Sequence, residues 1–162
     1  MPKHKKKDVA PQEEPVEILD YTQSEAFRIN HTLTPPYSVI IDTNFINSCI
    51  RKKLDLHVEL LNCLLANTTL FVTECVIGEL EKLGRVYRVA LALVKDKEFR
   101  RLECDHRGTY ADDCILRRVR VNRCYIVATC DTGLKQRIRK IQGVPLLSIH
   151  GKKFVVERLP SN

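Results

Sequence analysis

The sequence has no tryptophan, and aromatic residues make up only 6% of its 162 residues. It also has no long apolar run, because the longest candidate, residues 86–94, is interrupted by Tyr87 and Arg88, whereas a membrane helix needs roughly 18 apolar residues. No apolar stretch follows the lysines near the N-terminus, so we expect no secretory signal and an intracellular, reducing location. In a soluble protein of such a compartment, seven cysteines are expected to be thiols or metal ligands rather than disulfides.

Length and charge indicate one domain that attracts polyanions. A chain with 44% hydrophobic residues and this length can bury one core but not two. The 27 Lys and Arg residues outnumber the 20 Asp and Glu residues, and a net charge of +7 favours polyanions, although solubility alone would also explain it. Residues 1–34 combine a basic run with prolines and a polar stretch, so we expect a flexible tail before a domain over residues 35–162. An import signal, an RNA-contacting arm and a solvated chain all fit this tail.

From residue 35 onward, short apolar runs alternate with helical patterns. The short runs predict strands at residues 37–41, 70–72, 124–128 and 144–149. Apolar spacing along one face predicts helices at residues 44–50, 54–65, 76–83, 87–94, 112–121 and 134–141, and Gly84 ends the third of them. Since each parallel crossover requires a helix, the pattern indicates an α/β fold with a parallel sheet covered on both faces. In such sheets, ligands bind beyond the carboxyl ends of the strands.

Acidic residues gather at this predicted edge. Asp42 directly follows the first strand, and Asp131 closely follows the third. Glu79, Asp112 and Asp113 come from helix starts, where the helix dipole favours acids. Taken singly, the acids that follow strands are better explained as helix caps. Carboxylates packed together repel one another unless a cation neutralises them, so four acids at one edge predict an Mg²⁺ or Mn²⁺ site.

A site of this kind suits the hydrolysis of a phosphodiester bond. Divalent cations activate water, offset the charge of the phosphate and stabilise the leaving oxygen. Asn44 and Thr129 are expected to position water around the cation without binding it directly. Water would then be the nucleophile.

Basic residues near Asp131 are the candidate RNA contacts. They lie on the last predicted helix and on the one before it: Lys135, Arg137, Arg139 and Lys140, and then Arg117, Arg118 and Arg120. Beside an acidic metal site, such residues would hold the phosphate backbone with little sequence preference, although a solvated helix face is the alternative. The sequence contains no recognisable base-reading module, so we expect a guide RNA, protein partners or RNA shape to direct the choice of sequence.

Four residues form a candidate zinc site: Cys75, Cys104, His106 and Cys114. They come from two helix starts and the loop between them, and three sulfur atoms with one imidazole suit tetrahedral Zn²⁺. The spacing is tighter than that of common zinc fingers, and buried thiols with a surface histidine are the alternative. The other cysteines lie in apolar settings and are expected in the core: Cys49, Cys63, Cys124 and Cys130.

Five segments resemble the PIN-domain nucleases: residues 40–45, 79–84, 108–114, 127–131 and 137–145. The last of them, Arg-Ile-Arg-Lys-Ile-Gln-Gly-Val-Pro, narrows the resemblance to the Fcf-type nucleases of the small-subunit processome, which take part in cleaving precursor ribosomal RNA. The similarity runs from about residue 35 to about residue 160. It implies a three-layer αβα sandwich with a central parallel sheet, and a metal-dependent endoribonuclease of the nucleus and nucleolus.

The resemblance also implies roles for particular residues. Asp42, Glu79, Asp112 and Asp131 match the four acidic positions of the family, and Asp113 is an alternative for the third. A degenerate PIN relative is similar at the Cys-Cys-His-Cys positions, which favours zinc there. The implied partners are precursor ribosomal RNA, processome proteins and a guide RNA, with no membrane.

The sequence departs from the family pattern at two places, and two other functions are compatible with the fold. The N-terminal tail is shorter and less basic than the relatives' usual arm, and Gly133 stands where the family often has another acid. A non-catalytic PIN scaffold would bind RNA and proteins in the pre-ribosomal particle without cleaving RNA. The basic tail and residues 137–145 argue against a free-standing, toxin-like ribonuclease. The intact acidic set favours the processing enzyme.

Overall fold

The computed structural model describes residues 32–108 and 110–157, and within them a six-stranded sheet forms the centre. Its strands are β1 (Tyr37–Ile41), β2 (Thr68–Thr73), β3 (Phe99–Leu102), β4 (Tyr125–Ala128), β5 (Leu146–His150) and β6 (Lys153–Glu157). Their order in space is β3-β2-β1-β4-β5-β6, and neighbouring strands are parallel except for the antiparallel pair β5 and β6. The expectation for the tail falls largely on residues 1–31, which lie outside the described residues, and Leu33 is already buried in the core.

Helices connect the parallel strands. Over the described residues they are α1 (Thr43–Lys52), α2 (Leu56–Leu64), α3 (Glu74–Leu83), α4 (Arg88–Val94), α5 (Ala111–Val121) and α6 (Thr132–Arg139), with a 3₁₀ turn at Gly84–Tyr87. None of these helices is long and apolar enough to cross a membrane. In the central strand β1, Val39 and Ile40 point to opposite faces and are both fully buried. Both faces of the sheet are therefore covered, and the predicted α/β fold is confirmed.

Two strands were missed by the sequence patterns. Strand β3 reads Phe-Arg-Arg-Leu, and its two arginines are exposed, so it has no apolar run to detect. Strand β6 is a half-buried edge strand in which only Phe154 and Val156 are buried. It follows β5 through a tight turn in which Gly151 has a φ of 62°. Because a tight turn returns the chain antiparallel, the mainly parallel sheet has one antiparallel edge.

Side-chain caps explain where the helices begin. Asp42 caps α1 and Asp131 caps α6, so each helix starts one or two residues earlier than its apolar pattern indicated. Asp55 caps α2, which therefore starts two residues later than predicted. Gly84 ends α3, as expected, with a φ of 75°. The caps of α1 and α6 place two of the predicted acids at the carboxyl ends of β1 and β4.

Candidate functional site

The acidic site is centred on Asp42, which is only 1% exposed. Its backbone N–H donates to the carbonyl of Ala128 at the end of β4, at 3.0 Å. Its Oδ1 accepts from the backbone N–H of Thr43 at 2.8 Å, and its Oδ2 accepts from the hydroxyl of Thr129 at 2.9 Å. The Thr129 oxygen in turn accepts from the backbone N–H of Asp131 at 3.1 Å. This chain of hydrogen bonds links the two acids that follow the central strands.

Glu79 on α3 and Asp112 in the first turn of α5 complete the cluster. Burial raises the pKa of Glu79, and repulsion from Asp112 raises it further. Burial and then repulsion from Asp131 raise the pKa of Asp112. Burial raises the pKa of Asp42 to about 7, and both Asp112 and Glu79 add to that effect. Repulsion acts from Glu79 and Asp112 on Asp42 and from Asp131 on Asp112, so the four predicted acids lie in one cluster.

A divalent cation fits this cluster chemically. Buried carboxylates that are all ionised need a positive charge among them, and their oxygens are ligands that Mg²⁺ and Mn²⁺ prefer. The Oγ1 atom of Thr43 is buried without a hydrogen bond of good geometry within the described residues, although it lies near enough to Glu79 to lower the pKa of that carboxyl. A buried polar atom left over beside the acids is expected where a bound cation or water completes the site.

We expect the stability of the cation-free protein to depend on pH because the Asp42 carboxyl group is buried. The pKa of about 7 in the fold exceeds the ordinary 3.8, so the contribution of Asp42 is fully present below about pH 4 and is lost as the pH rises to about 7. The stability of Asp42→Asn relative to the wild type should therefore increase across this window, by up to roughly 4 kcal/mol, and then level off. Urea unfolding at several pH values, in buffer free of magnesium and manganese, measures this difference. A stability difference between Asp42→Asn and the wild type that does not change with pH would contradict a raised pKa for Asp42.

Two residues predicted for this site lie on its exposed border. The Asp113 side chain is 61% exposed, and its Oδ1 accepts a hydrogen bond from Nη2 of Arg137 at 2.6 Å. Asn44 is exposed, whereas the preceding Thr43 is buried beside Glu79. Thr43 was missed by the sequence reasoning. A hydroxyl residue directly after an acid that ends a buried strand is the signal that would have found it.

Carboxylates already occupy part of the predicted RNA-binding surface on α6. The Lys135 ammonium lies 2.8 Å from Oε1 of Glu157, and Arg139 binds the other oxygen of the same carboxylate. Burial alone would raise the pKa of Glu157, but these two cations hold it below its usual value. Glu157 was missed because its strand was missed. On the exposed side of α6, Arg137 and Lys140 face solvent.

The predicted arginines of α5 differ in their surroundings. Nη2 of Arg117 lies 3.8 Å from Oδ1 of Asp105, and Nη2 of Arg118 donates to the carbonyl of Glu103 at 2.6 Å. Both side chains therefore contact the segment before α5. Arg120 is exposed near the end of the same helix.

The four candidate zinc ligands lie together. Sγ of Cys75 is 3.6 Å from Sγ of Cys104 and 3.5 Å from Nε2 of His106, and Sγ of Cys104 is 3.4 Å from Sγ of Cys114. All four ligand atoms lie within 4.8 Å of one another. A zinc tetrahedron of ordinary bond lengths has edges of ~3.3–3.8 Å, and the three separations of 3.6, 3.5 and 3.4 Å fall in this range. Burial, together with the hydrogen bond to Cys104, raises the pKa of Cys75 to about 12, so a thiolate there needs a cation.

The other cysteines only partly follow expectation. Cys49 is buried, and Cys63 and Cys130 are partly buried against the core. Cys124 was expected in a core strand but lies partly exposed in the turn before β4. The Asn122 side chain accepts from its backbone N–H at 3.2 Å, which keeps Cys124 in the turn.

The fold and the acidic edge together define a PIN-type domain. A solved structure, described as that of the PIN domain endonuclease Utp24, superimposes with a TM-score of 0.75 at 58% identity and covers 78% of this chain and 95% of its own. The family model for Fcf1 matches residues 62–158. The rRNA-processing protein FCF1 of Saccharomyces cerevisiae is 55% identical over 134 residues, 83% of this chain and 71% of its own. The rRNA-processing protein fcf1 of Schizosaccharomyces pombe is 54% identical over 143 residues, which cover 88% of this chain and 74% of its own. The chain belongs to the Fcf1 family.

Proposed function

We propose that this protein is a metal-dependent endoribonuclease that cleaves precursor ribosomal RNA during small-subunit biogenesis. The observation that carries the proposal is the buried Asp42 carboxyl group, whose pKa is raised by burial and by the nearby Asp112 and Glu79. Acids with such shifted pKa values are concentrated at functional sites. The relatives are named rRNA-processing proteins, and the similar solved structure is described as an endonuclease, which supports the substrate and the reaction. The alternative, a non-catalytic scaffold, does not explain why four acids lie in one cluster despite their mutual repulsion.

The acids and their neighbours divide the work of the site. Mg²⁺ or Mn²⁺ held by the four acids would neutralise charge on the scissile phosphate and make a nearby water more acidic. The Thr129 hydroxyl donates to the Asp42 carboxylate and accepts from the backbone N–H of Asp131, so it links the two acids, and the buried Thr43 hydroxyl lies beside Glu79. The test is cleavage of labelled single-stranded precursor RNA by the wild-type chain. Cleavage should require Mg²⁺ or Mn²⁺, and the same products at the same rate in excess chelator would contradict the proposal.

We assign the third acid to Asp112, because it is partly buried and repelled by Asp131, whereas Asp113 is exposed and bound to Arg137. Asp112→Asn should lower kcat by at least about a hundredfold, since it removes a cation ligand. Asp113→Asn should keep most of kcat and raise KM severalfold, because it releases Arg137. Steady-state cleavage by the two variants, with thermal unfolding to confirm their folding, measures the difference. An equal loss of kcat in both would contradict the assignment.

We propose a structural Zn²⁺ at the site formed by Cys75, Cys104, His106 and Cys114. Four protein ligands leave no open position, so this site would stabilise the fold rather than take part in the reaction. Cys75 lies one helical turn before Glu79 on α3, and Cys114 lies two residues after Asp112 on α5. Closing the four ligands around one ion would therefore fix the separation of two acids of the active site.

The proposed partners are precursor ribosomal RNA, processome proteins and a guide RNA, and the proposed location is the nucleus and nucleolus. The family membership and the names of the relatives support this setting. Arg137, although paired with Asp113, and Lys140, which directly follows α6, are exposed and are the proposed contacts to the RNA backbone, while Lys135 and Arg139 are held by Glu157. Because phosphate contacts carry no sequence information, the choice of bond would come from the partners.

A further inference from the structure

Tyr110 and Asp113 are exposed at the start of α5 beside the acidic site, and Arg137 of α6 is paired with Asp113; we call these three residues the aromatic rim. Tyr110 is 77% exposed and is the one aromatic side chain that stands out among the exposed large hydrophobic residues of the described ranges. Its backbone is nevertheless held, because its carbonyl accepts from the backbone N–H of Cys114 at 3.1 Å in the first turn of α5. An aromatic ring presented to solvent on an anchored backbone is well placed to bind a ligand.

The rim is joined by one short ion pair. Asp113 follows Tyr110 by three residues, and Tyr110 is the N-cap of α5, so both residues lie at the start of this helix. Oδ1 of Asp113 lies 2.6 Å from Nη2 of Arg137, which joins α6 to the same end of α5. Asp112, adjacent in sequence, belongs to the acidic site, and Arg137 is close enough to act on it electrostatically. The rim therefore borders the place where the scissile phosphate would lie.

We propose that the aromatic rim binds one unpaired nucleotide of single-stranded RNA next to the scissile phosphate. Tyr110 stacks on the base, and Arg137 binds a phosphate while Asp113 positions its guanidinium. The inference rests on the proposed function of the acidic site. An aromatic ring beside an arginine is the pair that single-stranded nucleic acid uses, since every base has a face that stacks and every linkage has a charge that an arginine binds.

The absence of tryptophan from the chain provides a direct test. Tyr110→Trp, combined with Asp42→Asn to prevent cleavage, places a single fluorescent indole in the rim. A single-stranded RNA of about 12 nucleotides should quench its emission, because a base stacks on the ring. Inorganic polyphosphate, which carries charge but no base, should bind without this quenching. Val121→Trp, at the opposite end of α5 and 84% exposed, is the matched control and should not respond to either.

Affinity measurements in the same Asp42→Asn background separate the three roles. Tyr110→Ala should weaken RNA binding about tenfold, and Tyr110→Phe, which keeps the ring, should stay within about twofold. Arg137→Ala should make the slope of log affinity against log salt shallower by about 0.7. Asp113→Asn should weaken binding when Arg137 is present and add nothing to Arg137→Ala, as expected of a positioning residue. Arg100→Ala, a change of equal charge on the outer strand β3, should leave the affinity nearly unchanged.

The outcomes distinguish this inference from the proposed nuclease activity. Absent quenching in Tyr110→Trp, or equal losses in Tyr110→Ala and Tyr110→Phe, would overturn the stacking role and leave the rim to a protein partner. A cleavage-deficient chain with Asp42→Asn that does not bind the RNA at all would overturn it as well. If the wild type never cleaves RNA but the binding results are as expected, the proposed function fails and the nucleotide site stands.

Discussion

Asp42→Asn should abolish metal-dependent cleavage while the fold is retained. The substitution removes a charged oxygen from the centre of the acidic cluster, and losing the several kcal/mol that a bound cation supplies should lower the cleavage rate by at least about a thousandfold. The fold should survive because asparagine caps helices as well as aspartate does, and its oxygen can still accept from the backbone N–H of Thr43. Single-turnover cleavage of labelled RNA with Mn²⁺ measures the loss.

Asp55→Asn is the matched control for this variant. Asp55 also caps a helix, since its Oδ1 accepts from the backbone N–H of Val58 at 3.0 Å, but it is exposed at the start of α2. Its change to asparagine should therefore leave the cleavage rate unchanged. Wild-type cleavage by Asp42→Asn would mean that Asp42 is only a buried helix cap. A loss of equal size in Asp55→Asn would mean that helix capping, rather than charge, limits activity.

Cys104→Ser should remove zinc and much of the thermal stability. Cys104 lies at the centre of the candidate site, with its sulfur near both Cys75 and Cys114. Structural zinc contributes its binding free energy to folding, so losing a ligand should cost several kcal/mol and lower the melting temperature by about 10 °C or more. Elemental analysis of protein purified without chelator should find about one zinc per wild-type chain and almost none in the variant.

The control is Cys124→Ser, which changes a partly exposed thiol in the turn before β4. This variant should keep its zinc and melt within about 2 °C of the wild type, as surface substitutions usually do. If the wild-type protein is folded, active and free of zinc, the cluster consists of ordinary thiols and one histidine. A zinc content that Cys104→Ser does not lower would place the metal elsewhere.

The sequence predicted the central part of the fold because the central elements have strong patterns. β1 is a β-branched run buried on both faces, and the acid that follows it marks the sheet edge directly. The outer strands could not be found in the same way. β3 carries two exposed arginines and β6 is an edge strand with alternate burial, so neither has the apolar density of a central strand.

The sequence indicated which residues are candidates for the site, but it did not indicate which of them pair with one another. The acids and the candidate zinc ligands could be proposed from the sequence because their chemistry is evident from residue type and most of them lie at a strand end or a helix start. Glu79 lies in the second turn of α3, and His106 lies in the loop before α5. Ion pairs between distant segments cannot be derived from local patterns. For this reason the sequence assigned Lys135 and Arg139 to RNA without their partner Glu157, and left Asp112 and Asp113 unresolved. The contact between Asp113 and Arg137 distinguishes the surroundings of Asp113 from those of Asp112.

The central claim is that Asp42, Glu79, Asp112 and Asp131 hold a divalent cation. The most direct measurement is anomalous scattering at the manganese edge from crystals soaked in Mn²⁺. We expect a manganese peak within coordination distance of at least two of these carboxylates, about 2.1–2.3 Å from their oxygens, and its loss in Asp42→Asn. No peak among the four acids at saturating Mn²⁺, or a peak that persists unchanged in Asp42→Asn, would contradict it.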